Sequence, residues 1–284
     1  MYETFTLKET EKGIIKGYAW PIADPIKVVC IVHGLGEYAG RYDRVAGKFS
    51  KAGIAVVSMD QRGHGESIGP YGHCAPRAEV LRDISEMLLY ARKQYPNKDI
   101  ILYGHSLGGN LTLDYRSRGE FNDMPAKYLI SAPWVRLAKP ISGALFSVVK
   151  IMSKIAPTMA IGSDIDESLL GNPEMALPYN DNPMVHNKIS FGCAFDSFGV
   201  GKALEDGTNE DNGKADGIPT MLMHGTSDGI CSIEGTRKVY ENLKRKGCKV
   251  QMIEWPDFLH EIHNGNAVSR GDEVIDSMIQ FILG

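Results

Sequence analysis

Cysteine is scarce and scattered in this sequence: Cys30, Cys74, Cys193, Cys231 and Cys248 are odd in number and form no C-x-x-C pair. That usage argues against a metal cluster and for reduced thiols, hence for a cytoplasmic chain. A basic excess is lacking as well. The net charge of -4 and the isoelectric point near 6.1 leave no electrostatic footprint for nucleic acid. Apolar runs are shorter than a membrane span or are interrupted by Lys and Pro. Met1 to Gly13 carries Glu and Lys throughout in place of an apolar signal core, so no secretion signal is expected. Internal repeats and low-complexity tracts are missing, which excludes fibrous and solenoid classes. What remains is a chain of 284 residues, 43% hydrophobic and 23% charged. Its apolar content suffices for one large domain, or for one domain with an inserted lobe.

The densest signal is Ile101-Leu102-Tyr103-Gly104-His105-Ser106-Leu107-Gly108-Gly109. Asp99 to Tyr103 reads as a buried strand and Leu107 to about Tyr115 as a helix start, so Ser106 sits on an elbow that admits only small neighbours. Gly104 and Gly108 supply them. The first helical turn then aims free N–H groups and a positive dipole end at the Ser106 hydroxyl, where an oxyanion would develop. A glycine turn with a surface serine would carry the same G-x-S-x-G, so its partners must decide.

Around this elbow the chain alternates strand and helix. Thr4 to Lys8 and Gly13 to Trp20 predict an antiparallel hairpin. Ile26 to Val32, Ile54 to Met59 and Tyr128 to Ala132 are β-branched apolar runs of the kind buried in a parallel sheet. They are separated by helical spacing over Arg41 to Ala52 and Arg77 to Lys93, which predicts right-handed crossovers. From Val135 to Gly217 the rhythm is lost. A helix over Ile141 to Ile155 carries Ile141, Leu145, Val148, Val149, Met152 and Ile155 opposite Ser147, Lys150 and Lys154. The acidic run Glu205 to Gly217 reads as a mobile linker. Residues 135–217 are therefore expected to be an inserted cap, with residues 1–134 and 218–284 forming the core. The rhythm resumes with Thr220 to His224, Ile233 to Lys246, Lys249 to Trp255 and Ala267 to Leu283.

A serine hydroxyl is a weak nucleophile unless an imidazole takes its proton and a carboxylate orients that imidazole. Asp228, in the turn after Thr220 to His224, and His260, in the loop after the last strand, supply both in the order Ser, Asp, His. Asp257 competes as the acid and His263 as the base. Position favours Asp228 and His260. An oxyanion hole needs two donors. The Leu107 N–H is one, and the Leu35 N–H is the other, from His33-Gly34-Leu35-Gly36 after the first parallel strand. His33 reads as an orienting loop residue, Asp60 as a turn-tying carboxylate, His224 as a core histidine, and Met221, Met223 and Cys231 as packing residues.

With these residues assembled, the sequence resembles the monoglyceride lipase and lysophospholipase branch of the serine α/β-hydrolases. The resemblance rests on His33-Gly-Leu-Gly-Glu37 with Arg41-Tyr42, Asp60-Gln-Arg-Gly-His-Gly-Glu-Ser67, Gly104-His-Ser-Leu-Gly-Gly109, His224-Gly-Thr-Ser-Asp228 and His260-Glu-Ile-His263. Tyr38, Gly229 and the long acidic run depart from the family pattern. The resemblance implies an α/β-hydrolase fold: a mostly parallel eight-stranded sheet with helices on both faces and a helical cap over an acyl tunnel. It also implies that Glu37, Arg41 and His263 form the alcohol-binding end of the pocket, with a salt-bridged loop network as the alternative. The expected activity is hydrolysis of acyl esters such as monoacylglycerols or lysophospholipids through an acyl-enzyme at Ser106, without metal or organic cofactor. Acyl transfer, perhydrolysis and carbon–carbon hydrolysis on the same residues, or a ligand-binding homologue, are the rival readings. The expected partner is a small-molecule ester, with no nucleic acid and no obligate protein partner, and the cap is a candidate for transient contact with a lipid surface.

Overall fold

The structure is a computed structural model that describes residues 2–163, 165–176 and 182–284. The N-terminal hairpin is β1 (Glu3–Thr10) and β2 (Gly13–Trp20), followed by β3 (Lys27–Val32), α1 (Asp43–Lys51), β4 (Ile54–Met59), α2 (Arg77–Gln94), β5 (Ile100–His105), α3 (Leu107–Arg118) and β6 (Lys127–Ser131). An inserted segment then carries α4 (Gly143–Ile155), β7 (Ala160–Gly162), α5 (Pro173–Ala176), β8 (Lys188–Ser190) and α6 (Phe191–Asp206). The chain returns to the sheet with β9 (Thr220–Gly225), α7 (Ile233–Arg245), β10 (Val250–Trp255) and α8 (Asp272–Leu283).

Eight of these strands form one sheet in the order β1-β2-β4-β3-β5-β6-β9-β10, while β7 and β8 pair separately. Within the eight-stranded sheet the pairings from β4 across to β10 are parallel, while β1–β2 and β2–β4 are antiparallel, as is the separate β7–β8 pair. The period-2 alternation of the strands divides the core in two. Val28, Cys30 and Val32 of β3 face one apolar layer with α2 and α3, whereas Val29 and Ile31 face the other with α1 and α8. Strands buried on both faces need continuous apolar runs, which is why β3, β4 and β5 lack the in–out alternation of an exposed sheet. Helix α3 is buried from Leu107 to Ser117, so the helix that follows the elbow is locked into the centre of the molecule. Among the described residues no helix is long and apolar enough to cross a membrane.

Two expectations change. The last helix begins at Asp272 rather than Ala267, because Asn266 Oδ1 accepts the N–H groups of Val268 and Ser269 and both Gly265 and Gly271 take positive φ. The acidic run after α6 is tied to the core rather than left loose. Asn212 N–H donates to Ser117 O at 2.9 Å, Arg116 Nη2 donates to Ala215 O at 3.0 Å, and Ala215 is buried. The apolar face of α4, whose surroundings its periodicity leaves open, divides between inside and outside: Val149 is buried, but Val148 is 48% and Ile155 73% exposed.

Candidate active site

The elbow is as tight as its glycines imply. Ser106 takes φ 56° and ψ −118° between β5 and α3, a conformation a non-glycine residue holds only when its surroundings enforce it. A Cβ on Gly104 would lie 2.2 Å from Thr112 Oγ1, and one on Gly108 2.0 Å from Val32 O. Any larger residue at either position would push α3 off the sheet.

His260, in the loop between β10 and α8, reaches Ser106 across the sheet edge. Its Nε2 lies 2.8 Å from Ser106 Oγ and its Nδ1 2.8 Å from Asp228 Oδ2. A carboxylate can only accept, so the imidazole carries its proton on Nδ1 and presents a bare Nε2 to the serine hydroxyl. Burial alone would push the His260 imidazole down, but the Asp228 charge and hydrogen bond hold it above its ordinary range. Asp228 is held in turn. Its Oδ1 accepts the N–H groups of Ile230 and Cys231 at 2.8 and 2.9 Å, and its carboxyl stays well below the usual carboxylate range against the push of burial, through His260 and His224. Asp257 is exposed, and its backbone N–H donates to Thr226 Oγ1.

His224 does more than fill the core. Its Nε2 lies 2.9 Å from Asp228 Oδ2 and 3.1 Å from Cys231 O, while Nδ1 meets Thr236 Oγ1 at 2.8 Å. Two acceptors at Nε2 fix the proton there and leave Nδ1 to accept the threonine hydroxyl. The signal available in the sequence was position alone, at the end of β9 and four residues before Asp228.

Ser106 opens on an apolar cavity of about 230 Å³. Leu35 and Cys231 line it from the core, and Leu145, Val149, Ile189 and Phe198 line it from the inserted segment. Cys231 is thus a wall residue beside the serine rather than packing alone. The loop that carries Leu35 is braced by His33, whose ring accepts the Gln61 N–H at Nε2 and lies 2.8 Å from Gly34 O at Nδ1. Burial pushes this imidazole down to about 4, so it stays neutral. Asp60 ties the next loop, accepting from Ala39 N, Glu66 N and Tyr18 Oη.

Glu37, Arg41 and His263 are brought together, but in a buried cluster off the wall of the apolar cavity. Arg41 Nη1 lies 3.5 Å from Glu37 Oε2 and 2.7 Å from Glu261 Oε1. Glu261 was not singled out from sequence, although it directly follows His260. His263 stacks on Tyr42 with ring centroids 5.5 Å apart, and burial pushes it down to about 4. The cluster still borders Ser106: an atom at the missing Cβ of Gly34 would lie 2.7 Å from Glu37 Oε1 and 3.2 Å from Ser106 Cβ. Donor atoms of Glu37, His105 and Glu261 lie within 4.8 Å of one another. The guanidinium of Arg41 already supplies the positive charge that a metal ion would bring to these carboxylates.

The model of the family described as serine aminopeptidase, S33, matches residues 23–266. The chain is 30% identical over 247 residues to the monoacylglycerol lipase of Mycolicibacterium smegmatis, a match covering 86% of this chain and 84% of that protein. It is also 30% identical over 260 residues to an uncharacterized abhydrolase domain-containing protein of Dictyostelium discoideum. That match takes in 91% of this chain but 27% of the relative, so the chain spans about a quarter of that protein's length. Among solved structures, the monoacylglycerol lipase of Paleococcus ferrophilus superposes with a TM-score of 0.81 at 25% identity, over 95% of this chain and 98% of that one.

Proposed function

Because this chain belongs to the serine aminopeptidase S33 family, and within it to the monoglyceride lipase-like carboxylic ester hydrolases, we propose that it cleaves acyl esters such as monoacylglycerols or lysophospholipids through an acyl-enzyme on Ser106. Ser106 Oγ attacks the ester carbonyl carbon while His260 Nε2 takes its proton. The Leu35 and Leu107 amides receive the tetrahedral oxyanion. His260 then returns the proton to the leaving alcohol, and afterwards takes one from the water that releases the acid. Asp228 orients the imidazole and stabilises its cation, and His224 fixes Asp228.

The observation that carries this reading is the pair of 2.8 Å contacts from Ser106 through His260 to Asp228, placed at the mouth of an apolar cavity. The inserted segment, residues 135–217, serves as the cap that walls the acyl chain. Glu37, Arg41 and His263 meet the alcohol, supported by the closeness of Glu37 to Ser106. Transient contact with a lipid surface belongs to the same reading. Val148, Ile151 and Ile155 of α4 are exposed, and Leu145, which lines the cavity, is 42% exposed beside them. Lys150 and Lys154 provide positive charge, and α4 contains no acidic residue. A cytoplasmic location is proposed on the five cysteines free of disulfides.

The test is a fluorophosphonate probe followed by ester turnover. Adduct formation on Ser106, lost in Ser106→Ala, together with release of free acid from a panel of monoglycerides and lysophospholipids, is the expected result. Labelling without release of acid from any ester would overturn the hydrolase reading.

A further inference from the structure

Asp228 is held by two imidazoles, and His260 is the one that reaches Ser106. His260 Nδ1 lies 2.8 Å and His224 Nε2 2.9 Å from the same carboxylate oxygen, Oδ2. The other oxygen, Oδ1, accepts the Ile230 and Cys231 N–H groups. The Asp228 and His224 side chains are fully buried and that of His260 is 4% exposed. Two ring N–H groups therefore draw on one oxygen in an interior where hydrogen bonds polarise one another strongly.

The His224 ring is fixed on both sides. Its Nε2 also faces Cys231 O at 3.1 Å, and since a carboxylate and a carbonyl can only accept, the ring proton sits on Nε2. Nδ1 lies 2.8 Å from Thr236 Oγ1, in the first turn of α7. A bare ring nitrogen needs a donor, so the buried threonine hydroxyl turns its proton toward Nδ1. That hydrogen bond draws electron density from the ring and makes Nε2–H a stronger donor to Asp228. Three neighbouring pieces of sequence build the arrangement: the end of β9 carries His224, the turn after it carries Asp228 and Cys231, and α7 brings Thr236 back against the strand.

We propose that His224, locked by Thr236, is a positioning residue that sets the proton affinity of His260 by sharing Asp228 Oδ2 with it. An N–H on Oδ2 takes up part of the negative charge that would otherwise face the His260 imidazolium. The imidazole thereby stays free to accept the Ser106 proton at a lower pH than Asp228 alone would allow. This role rests on the parts given to Ser106, His260 and Asp228 under the ester-hydrolase reading. Its sign is distinctive. Losing the Asp228 charge lowers the affinity of His260 for its proton, whereas losing the His224 N–H raises it.

Other groups act on the two rings. His260 is faced by His105 from the end of β5, with ring centroids 4.9 Å apart, by the charges of Glu37 and Glu261, the latter joined to Arg41, and by His263. His224 pairs in register with Glu254 of β10, which accepts from Arg237 Nε at 2.8 Å. Substitution at His224 or Thr236 leaves all of these in place.

The test follows the His260 ring by NMR across pH in the folded protein without substrate, and beside it the acid limb of kcat/KM on a nitrophenyl ester. In His224→Leu the His260 midpoint should rise by about one pH unit, the scale of one hydrogen bond to a charged group, and the acid limb should move up with it. Thr236→Val, which removes the hydroxyl at nearly constant volume, should produce part of that rise. His224→Gln places an amide N–H at the reach of Nε2 and should restore the wild-type midpoint. An unchanged or lowered midpoint in His224→Leu would overturn the proposal. So would an equal rise in His224→Leu and His224→Gln, which would make the effect one of packing. If His224→Leu fails to fold, the same criterion applied to Thr236→Val decides. The titration needs no substrate, so the expected shift in a protein that cleaves no ester would refute the ester reading and leave the sharing of Oδ2 standing.

Discussion

Glu37→Gln keeps the size and hydrogen-bonding reach of the side chain while removing its charge, and so isolates the electrostatics of the cluster behind His260. Glu37 is 4% exposed and Glu261 1%, and they share one guanidinium unequally. Arg41 Nη1 lies 2.7 Å from Glu261 and 3.5 Å from Glu37, while Nη2 also serves Ala176 O at 2.6 Å. Two buried carboxyls with one cation cannot both ionise cheaply, so the less closely held one keeps its proton. Burial accordingly pushes Glu37 from 4.5 up to about 7, whereas Arg41 holds Glu261 below its ordinary range against the same push. In the unfolded chain Glu37 loses its proton near 4.5. Between about 4.5 and 7 the folded protein therefore binds the extra proton, and stability falls as pH rises through that window. Above it the full penalty is present, about 3 kcal/mol at about 1.4 kcal/mol per tenfold. Glu261 acts with the opposite sign: its stabilisation is present above the unfolded carboxyl range and is lost as pH falls through its lowered value.

Glutamine cannot ionise. The variant should match the wild type near about pH 5 and exceed it by up to about 3 kcal/mol near about pH 8, as read from denaturant midpoints with unchanged m-values. A stability difference that stays constant across this range, or that turns against the variant as pH rises, would refute the assignment of the proton to Glu37.

Ser106→Ala and His260→Ala should each lower kcat by on the order of 10⁴ to 10⁶ with the melting temperature retained. Asp228→Asn should cost less and move the acid limb of kcat/KM to lower pH, because the charge that raises His260 is gone; a larger loss from Asp257→Asn would show the acid to be misassigned. Truncating Glu37, Arg41 or His263 should slow glycerol esters more than nitrophenyl esters, by roughly 1 to 3 kcal/mol per buried hydrogen bond lost. Equal loss on both would make the cluster scaffold. Val149→Trp, placed on the cavity wall, should cut activity on long acyl chains and spare short ones, whereas uniform loss with a lower melting temperature would assign Val149 to the packing of the segment.

The parts of this molecule legible in its sequence are those where one local rule decides. The continuous apolar runs of β3, β4 and β5 admit only burial on both faces, and Gly104 and Gly108 leave no room for any side chain at the elbow. The end of α8 was legible and its start was not, since Asn266 and Gly271 reshape a stretch whose composition alone would continue the helix. Met152 and Val149 look alike on a helical wheel, yet Val149 lines the cavity and Met152 packs beside the core. Which side of α4 faces inward depends on where α6 lies, and no periodicity in α4 encodes that. His224 and Glu261 escaped for a related reason. Each acts through a residue it meets only after folding, Asp228 for one and Arg41 for the other.

Those two contacts also divide the electrostatic work around His260. Asp228 is anchored by two backbone N–H groups and two imidazoles, so it keeps its charge well below the usual carboxylate range. The second cluster is different, because Glu261 is neutralised by Arg41 while Glu37 holds a proton until about 7. Below that point His260 faces one uncompensated carboxylate. Above it, ionised Glu37 adds a second, which raises the affinity of the imidazole for its proton. Raising the pH therefore tends to empty His260 of its proton and, through Glu37, to refill it, so the acid limb of the wild-type profile should be shallower than that of a single titrating group. In Glu37→Gln this coupling is absent, and the limb should steepen to that of one ionisation. An equally shallow limb in the variant would place the second titrating group elsewhere.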